Sequence, residues 1–324
     1  ANRTGVLTGV DLVPEVRRDS VYVRLRQDIG SRFEASADLR FSRRAFGFDN
    51  AATSTVFAVS AANPHFVSPS GAASHLMAYS FYGDLGPSRR RGVSRSLAPA
   101  GGRVYDRGGG WRLDGYLAFA EERGEARTEN VVNSAFLAEA LGNLPDDPAT
   151  AYSASRDGYF NPFGAGEANN GIVLDFLGQG YSAAFDRSRL TSANLLATGP
   201  FGRLPGGAID VALGAQVRRE SLRSRLSAFV SSVAPVDTIN PARERIVTAV
   251  FAEARLPLVG EANARRGVER LEFTLAGRIE DYDEFGFLED VAAEWAIPWK
   301  GRPKVEGRFI EAYPGQKVSY IAWG

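Results

Sequence analysis

His65 and His75 are the only imidazoles in the 324 residues, and Ser68, Ser70 and Ser74 lie close to them in sequence. A Ser-His-Asp site needs a serine hydroxyl against an oriented imidazole. No Gly-x-Ser-x-Gly elbow supports one, so the two histidines read as surface residues of a polar loop. Asp281, Asp283 and Glu284 offer carboxylate oxygens to a hard cation. Their spacing is not that of an EF-hand loop, and they read as a solvated outer loop. Gly108-Gly109-Gly110 precedes Trp111 rather than a Lys-Ser/Thr pair, so it is a turn and not a phosphate cradle. With no cysteine in the chain, thiolate ligands, disulfides and cysteine nucleophiles are excluded. The expectation is a protein without a catalytic residue, a metal site or a cofactor.

Binding chemistry is better represented. Tyr159, Phe160, Asn161 and Phe163, with Asn169 and Asn170, form an aromatic and amide-rich cluster. Such a group can stack on and hydrogen-bond a sugar or chelate, or it can stabilise the turns of its own loop. Arg89-Arg90-Arg91 is the densest basic run. The chain has 38 basic and 38 acidic residues and no net charge. No global field therefore favours nucleic acid, and the run reads as a solvated loop or a contact with anionic outer-leaflet lipid. Lysine occurs only at 300, 304 and 317, so nearly all positive charge is arginine.

The charged residues must be positioned by strands. Arg32, Glu34, Ser36, Asp38 and Arg40 alternate with Phe33, Ala35, Ala37, Leu39 and Phe41. A period of two specifies a strand with one apolar and one polar face. The same alternation recurs near 20–26, 111–119, 208–220 and 271–280, carrying Arg218, Glu220 and Arg278 on the polar side. Strands of about ten residues, apolar outside and charged inside, are the pattern of a membrane barrel around a wet lumen. The chain has no run of 18 or more apolar residues, which excludes a helical membrane protein.

Turn chemistry orders these strands. Ile29-Gly30-Ser31 links strands near 20–28 and 32–46, and Pro205-Gly206-Gly207 links strands near 188–199 and 208–230. A polar turn over Gly260 to Gly267 joins strands near 245–257 and 269–283. Residues 48–74 and 123–180 are long connections, the latter an expected extracellular loop with a helix over Asn130 to Leu141. Ten to twelve strands are expected, those near 75–84 and 92–99 with broken alternation. The chain begins at Ala1 and ends at Trp323-Gly324, and is expected to be a piece of something longer.

In its second half the chain resembles the barrel portion of TonB-dependent outer-membrane receptors. The matching residues are Asn161-Pro162-Phe163-Gly164, then Gly199-Pro200 with Leu204-Pro205-Gly206-Gly207, then Gly214 through Arg218 and Glu220. Phe251-Ala252-Glu253, Leu256-Pro257-Leu258, Ala276-Gly277-Arg278, Asp281-Tyr282 and Phe285-Gly286 continue the order. After Gly286 the match thins, with Trp295 and Pro298 near a strand end and Glu311-Ala312-Tyr313-Pro314 where Arg-Ala-Pro is usual.

The resemblance implies an all-β antiparallel transmembrane barrel segment, about half of a 22-stranded barrel, without the plug domain. It implies active uptake of a scarce large nutrient such as a siderophore-iron, a cobalamin-like compound or an oligosaccharide, energised through TonB in a Gram-negative outer membrane. Partners would be outer-membrane lipid, the plug and TonB outside this chain, and the nutrient. Tyr159, Asn161, Phe163, Asn169 and Asn170 would contact ligand. Arg32, Glu34, Asp38, Arg40, Arg218, Glu220 and Arg278 would face the plug from the lumen wall. The alternatives are a passive porin-like channel and a soluble secreted carbohydrate-binding β-protein.

Overall fold

The computed structural model describes residues 5, 7–164, 168–283, 286–297, 305–312 and 317–323, the last three stretches by backbone alone. Among the described residues the chain forms thirteen strands and four short helices. The strands are β1 (Glu15–Ile29), β2 (Phe33–Asn50), β3 (Ser54–Ser60), β4 (Ser74–Ser80), β5 (Ser88–Gly108), β6 (Trp111–Val131), β7 (Gly180–Leu204), β8 (Gly207–Phe229), β9 (Val236–Val259), β10 (Leu271–Tyr282), β11 (Gly286–Ile297), β12 (Val305–Ala312) and β13 (Lys317–Trp323). The helices are α1 (Tyr82–Leu85), α2 (Ser134–Ala140), α3 (Ala154–Asp157) and α4 (Gly171–Leu177).

Eleven strands make one sheet in the order β1-β2-β5-β6-β7-β8-β9-β10-β11-β12-β13, every neighbour antiparallel. Among the described residues the sheet is open, since there β1 pairs only with β2 and β13 only with β12. The all-β antiparallel architecture expected from the alternation is present. Nothing in the pairing points to a total of 22 strands. Arg32 lies in the turn before β2 rather than on it, and its carbonyl accepts from the Asp106 N–H at 2.8 Å.

The strands outrun the sequence-based boundaries. A bilayer needs about 9–11 residues per tilted strand, yet β7, β8 and β9 hold 25, 23 and 24. One face of each carries an apolar belt. On β2 it runs from Phe33 to Phe41, on β8 from Ile209 to Val217, and on β10 from Leu271 to Ile279. Nine residues span about 26 Å along a strand, close to the ~25 Å apolar band of outer-membrane barrels. Among the described residues of β1 to β10, Arg103 is the one charged side chain inside this belt. A long stem near the short-turn end lets its head reach water.

Beyond the belt the same face turns charged. The change comes at Asp19, Arg43 and Arg95 on β1, β2 and β5, and at Glu121, Arg189 and Arg219 on β6, β7 and β8. It comes at Glu244 on β9 and Asp281 on β10. Asp19 belongs to the register row that reaches Arg223 on β8, whereas Asp281 belongs to the row that reaches Val217, six residues lower. The margin of the belt thus crosses the register obliquely.

The packed core is not in the sheet. It sits in a cap built from the two long connections at one end of the strands. The segments 51–87 and 132–179 supply the β3–β4 hairpin and all four helices. Val59, Tyr79, Phe81, Val132, Phe136, Leu137, Leu141, Phe160, Val173 and Leu177 are buried there together. Residues 48–74, expected to be a long connection, hold the end of β2, all of β3 and the first residue of β4, and β4 matches the strand expected near 75–84. The region 123–180 is a loop only from 132, because β6 continues to Val131. The helix expected over Asn130 to Leu141 begins at Ser134. Asn130 itself has a φ of 61°, and its Nδ2 donates to the carbonyls of Leu85 at 2.6 Å and Pro87 at 2.8 Å. Asn133 then caps α2 by accepting from the Ala135 N–H at 3.0 Å.

Candidate functional site

Two places gather functional side chains. The first is the polar face of β7 to β10. Register puts Asn194, Gln216 and Ala249 in one row, and Arg218 beside Val247, which faces Tyr282. The alternation that sends Leu213, Ala215 and Val217 to the apolar face sends these to the other. Gln216 Nε2 donates to Asn194 Oδ1 at 2.6 Å, and Arg278 donates to Gln216 Oε1 at 2.8 Å and through Nε to Glu280 at 2.6 Å. Tyr282 donates to the other Glu280 oxygen at 2.5 Å. Arg218 reaches the Tyr282 hydroxyl at 3.5 Å and lies 2.8 Å from Glu220, which also accepts from Arg245 Nε at 2.6 Å. The chain of contacts runs unbroken from Asn194 to Arg245.

This face is more enclosed than the other. Val247, Ala249 and Ser192 are buried, while Leu195, Leu213 and Val250 on the apolar face are more than half exposed or nearly so. In a single-layer sheet, side chains crowd on the concave side. The polar face is therefore the inner one. Its charges are paired in place, which is what a wet interior bounded by low-dielectric surroundings requires.

Of the residues expected to line a lumen, Arg218, Glu220 and Arg278 belong to this network. Glu34, Asp38 and Arg40 are on the same face but on β2, at least three strands from it. There Glu34 pairs with Arg26, Asp38 lies 3.6 Å from Arg40, and Arg40 covers the Tyr22 ring. Asn194, Gln216, Arg245, Glu280 and Tyr282 were not among the residues expected to line the lumen. Their signal is the shared phase of the alternation, which places every second residue of a strand on the inner face.

The second place is the cap. The amide cluster is spent within the cap. The Asn161 N–H donates to Asn169 Oδ1 at 2.7 Å, and Asn169 Nδ2 donates to Asp84 Oδ1 at 3.0 Å. Asn170 Oδ1 caps α4 at the Ile172 N–H, 2.8 Å away, and its Nδ2 donates to the Asp157 carbonyl. Asn161 Oδ1 accepts from the Phe163 N–H at 3.0 Å. Tyr159 packs against the core, and Phe163 is exposed. The aromatic stack continues through Phe81 and Phe160, and through Phe136, Phe176 and Tyr152. Phe136 meets Phe229 edge-on at 5.5 Å, which fixes the cap to the end of β8.

Electrostatics in the cap follow burial and pairing. Glu139 is buried, and desolvation pushes its carboxyl above the usual range, although its Oε1 accepts from the Asp147 N–H at 3.2 Å and Thr150 at 3.4 Å. The Arg156 guanidinium and the Ser153 N–H hold Asp157 below it. The Ser153 hydroxyl and the Ala154 N–H do the same for Asp146. Burial, then nearby carboxylates, raise the Tyr152 phenol.

The weaker candidates separate. His75 Nε2 lies 3.2 Å from Ser68 Oγ, but that hydroxyl donates to the Ala72 carbonyl at 2.7 Å, so its proton does not point at the imidazole. Asp281 ends the apolar face of β10, Asp283 is in the following turn, and Glu284 lies outside the described residues. No group of residues that could hold a metal is found among the described residues. Arg89 lies 3.7 Å from Asp49.

No known protein family matches the chain. No curated protein is similar to it. Among solved structures, it is similar to the translocator domain of the autotransporter NalP from Neisseria meningitidis, at 9% identity and a TM-score of 0.35, over 94% of this chain and 78% of that one. It is also similar to the beta domain of the Bordetella autotransporter Brka, at 13% identity and a TM-score of 0.29, over 96% of this chain and 94% of that one. Neither match supplies a role for this chain. They do correct the resemblance drawn from the ordered motifs, because autotransporter domains are a different outer-membrane barrel family from TonB-dependent receptors. TonB-energised uptake of a siderophore, cobalamin-like compound or oligosaccharide is withdrawn with it, as are the plug and TonB as partners. The plug-facing role of the lumen residues loses its partner, and the passive channel gains no support.

Proposed function

We propose that this chain supplies wall strands of an outer-membrane β-barrel that anchors a folded cap at the outer mouth, and that it performs no covalent chemistry. The observation that carries this reading is the two-faced sheet, with a nine-residue apolar belt opposite a paired polar network. Hydrocarbon demands that every backbone group find a partner within the protein. The ladders from β1 to β13 meet that demand except at the two edges. The oblique margin of the belt is what strands tilted against a bilayer normal produce. With eleven strands in alternating direction, β1 and β13 run parallel, so an all-antiparallel closure takes a further strand, from more polypeptide or from a second copy. Short turns in such barrels face the periplasm, which puts the cap outside.

Absence of cysteine makes the test clean. Single cysteines at positions 213, 275, 194 and 216 are labelled with an environment-sensitive fluorophore in the full chain inserted into bilayers. Brominated lipid is expected to quench the label at 213 and 275, and a water-soluble quencher the label at 194 and 216. A cysteine at 144, on the exposed cap loop, is expected to react on intact cells. Equal lipid quenching at all four sheet positions overturns the reading.

A further inference from the structure

One register row on the apolar face carries an arginine from each of five successive strands. Arg43 faces Arg95, Arg95 faces Arg123, Arg123 faces Arg187, and Arg187 faces Arg223. Directly opposed side chains on neighbouring antiparallel strands start about 5 Å apart, and like charges there repel. Carboxylates offset part of the repulsion. Asp19 lies 3.6 Å from Arg43, and Glu125 lies 3.9 Å from Arg95. Glu121 takes Arg123, Arg187 and Arg189 at 2.6, 2.6 and 2.7 Å. Arg223 enters no ion pair among the described residues. Three carboxylates thus serve five of these six guanidinium groups, and Arg95, Arg123 and Arg187 remain 53%, 62% and 40% exposed.

The row also has a defined depth. The next residues down on the same face of β2 and β5 are Phe41 and Leu97, both exposed and apolar, where the belt begins. A molecule lying against this surface would meet hydrocarbon-compatible side chains and then, at the margin, a line of guanidinium donors. The planar fork of arginine matches phosphate oxygens in pairs. We propose that this row binds the phosphate groups of anionic outer-leaflet lipids, with the acyl chains lying on the belt below. The inference rests on the barrel-wall reading.

The test uses the full chain inserted into phosphatidylcholine vesicles with and without lipid A, followed by detergent extraction and quantification of lipid A retained on the protein. Insertion is read separately by protease protection. Wild type is expected to retain lipid A. Arg223→Gln, which breaks no ion pair, is expected to lower retention roughly five-fold, and the pair Arg123→Gln with Arg187→Gln ten-fold or more, on about one phosphate contact per guanidinium. Arg270→Gln, at the short-turn end beside Glu272, is expected to leave retention unchanged. Unchanged retention in inserted Arg223→Gln and the double variant overturns the proposal, as does an equal loss in Arg270→Gln. Displacement of lipid A by inorganic phosphate would replace the lipid with a free anion as ligand and overturn it too. Failure of every variant and wild type to become protease-protected overturns the barrel reading instead.

Discussion

Glu139 shows how a single carboxyl in the cap sets a pH dependence. It is buried among Asp146, Asp147 and Thr150, and its raised pKa means that the folded state prefers the protonated form. The sign follows from linkage. Below the ordinary carboxylate range both states are protonated and the residue is neutral in its effect. As pH rises through the interval between the unfolded and the raised folded value, stability is lost, and the loss is complete only above the raised value. Glu139→Gln keeps an Oε1 for the Asp147 N–H and Thr150 and removes the charge. It is expected to raise the melting temperature of the cap at neutral pH, with an advantage that vanishes on acidification. A calorimetric series of both proteins across pH checks this, and a constant difference at every pH would refute it. Asp146 and Asp157 act in the opposite sense in both proteins, losing their contribution as pH falls through their lowered values. At this scale the sequence was only half legible. Asn161, Asn169 and Asn170 have the composition of a ligand site, and an amide that recognises a sugar is the same group as one that closes a turn. The Asn169 contact with Asp84, 85 residues away, is a tertiary fact that spacing does not encode.

Among the elements, the strands were readable because one face is apolar and the other polar, and misjudged in length because that contrast ends where the belt ends. Past Glu121 both faces of β6 are largely polar, and past Arg43 and Arg219 the apolar residues Phe46, Phe48, Leu222 and Leu226 fall on the opposite face of β2 and β8, so the period of two loses its signal while the ladder continues. β4 answers the strand expected near 75–84, but β3 and the hairpin it makes with β4 were missed for a related reason. Its sequence is rich in Ser and Ala, and Val59 and Tyr79 are buried by the helices of another connection rather than by the hairpin itself. Gly214 of β8 offers a direct check on how closely the strands are matched. The Phe251 ring of β9 lies across it, and a Cβ at 214 would meet that ring at 2.0 Å. The same ring sits under the Arg278 guanidinium. Gly214→Val is therefore expected to displace Phe251 and cost about 1–3 kcal/mol, measured by urea unfolding in bilayers. Gly124 has open space at its Cβ position, and Gly124→Val is expected to cost far less. Equal costs would mean that the ring does not lie over Gly214.

For the whole molecule, the assignment of faces governs insertion. Leu275 is at the middle of the β10 belt and half exposed, and Thr274 is its neighbour on the inner face beside Arg255. Leu275→Arg is expected to disfavour insertion by about 2–4 kcal/mol and Thr274→Arg by much less, measured by folding into bilayers of matched thickness. Similar penalties would reverse or abolish the face assignment. The sequence by itself determined that the chain is all-β, antiparallel, two-faced and suited to an outer membrane, because alternation and turn chemistry are local and survive without knowledge of the partner strands. It also determined which positions share the inner face, Arg218, Glu220 and Arg278 among them. Family membership did not follow from short ordered motifs, since Gly-rich turns and Arg-x-Glu strands recur wherever a barrel wall must turn tightly and pair its lumen charges. Only the tertiary structure decided the register. Register is a relation between strands, so it alone joined Asn194 to Arg245 in one network, folded two distant connections into a single cap, and lined up Arg43, Arg95, Arg123, Arg187 and Arg223 across five strands that lie far apart in the chain.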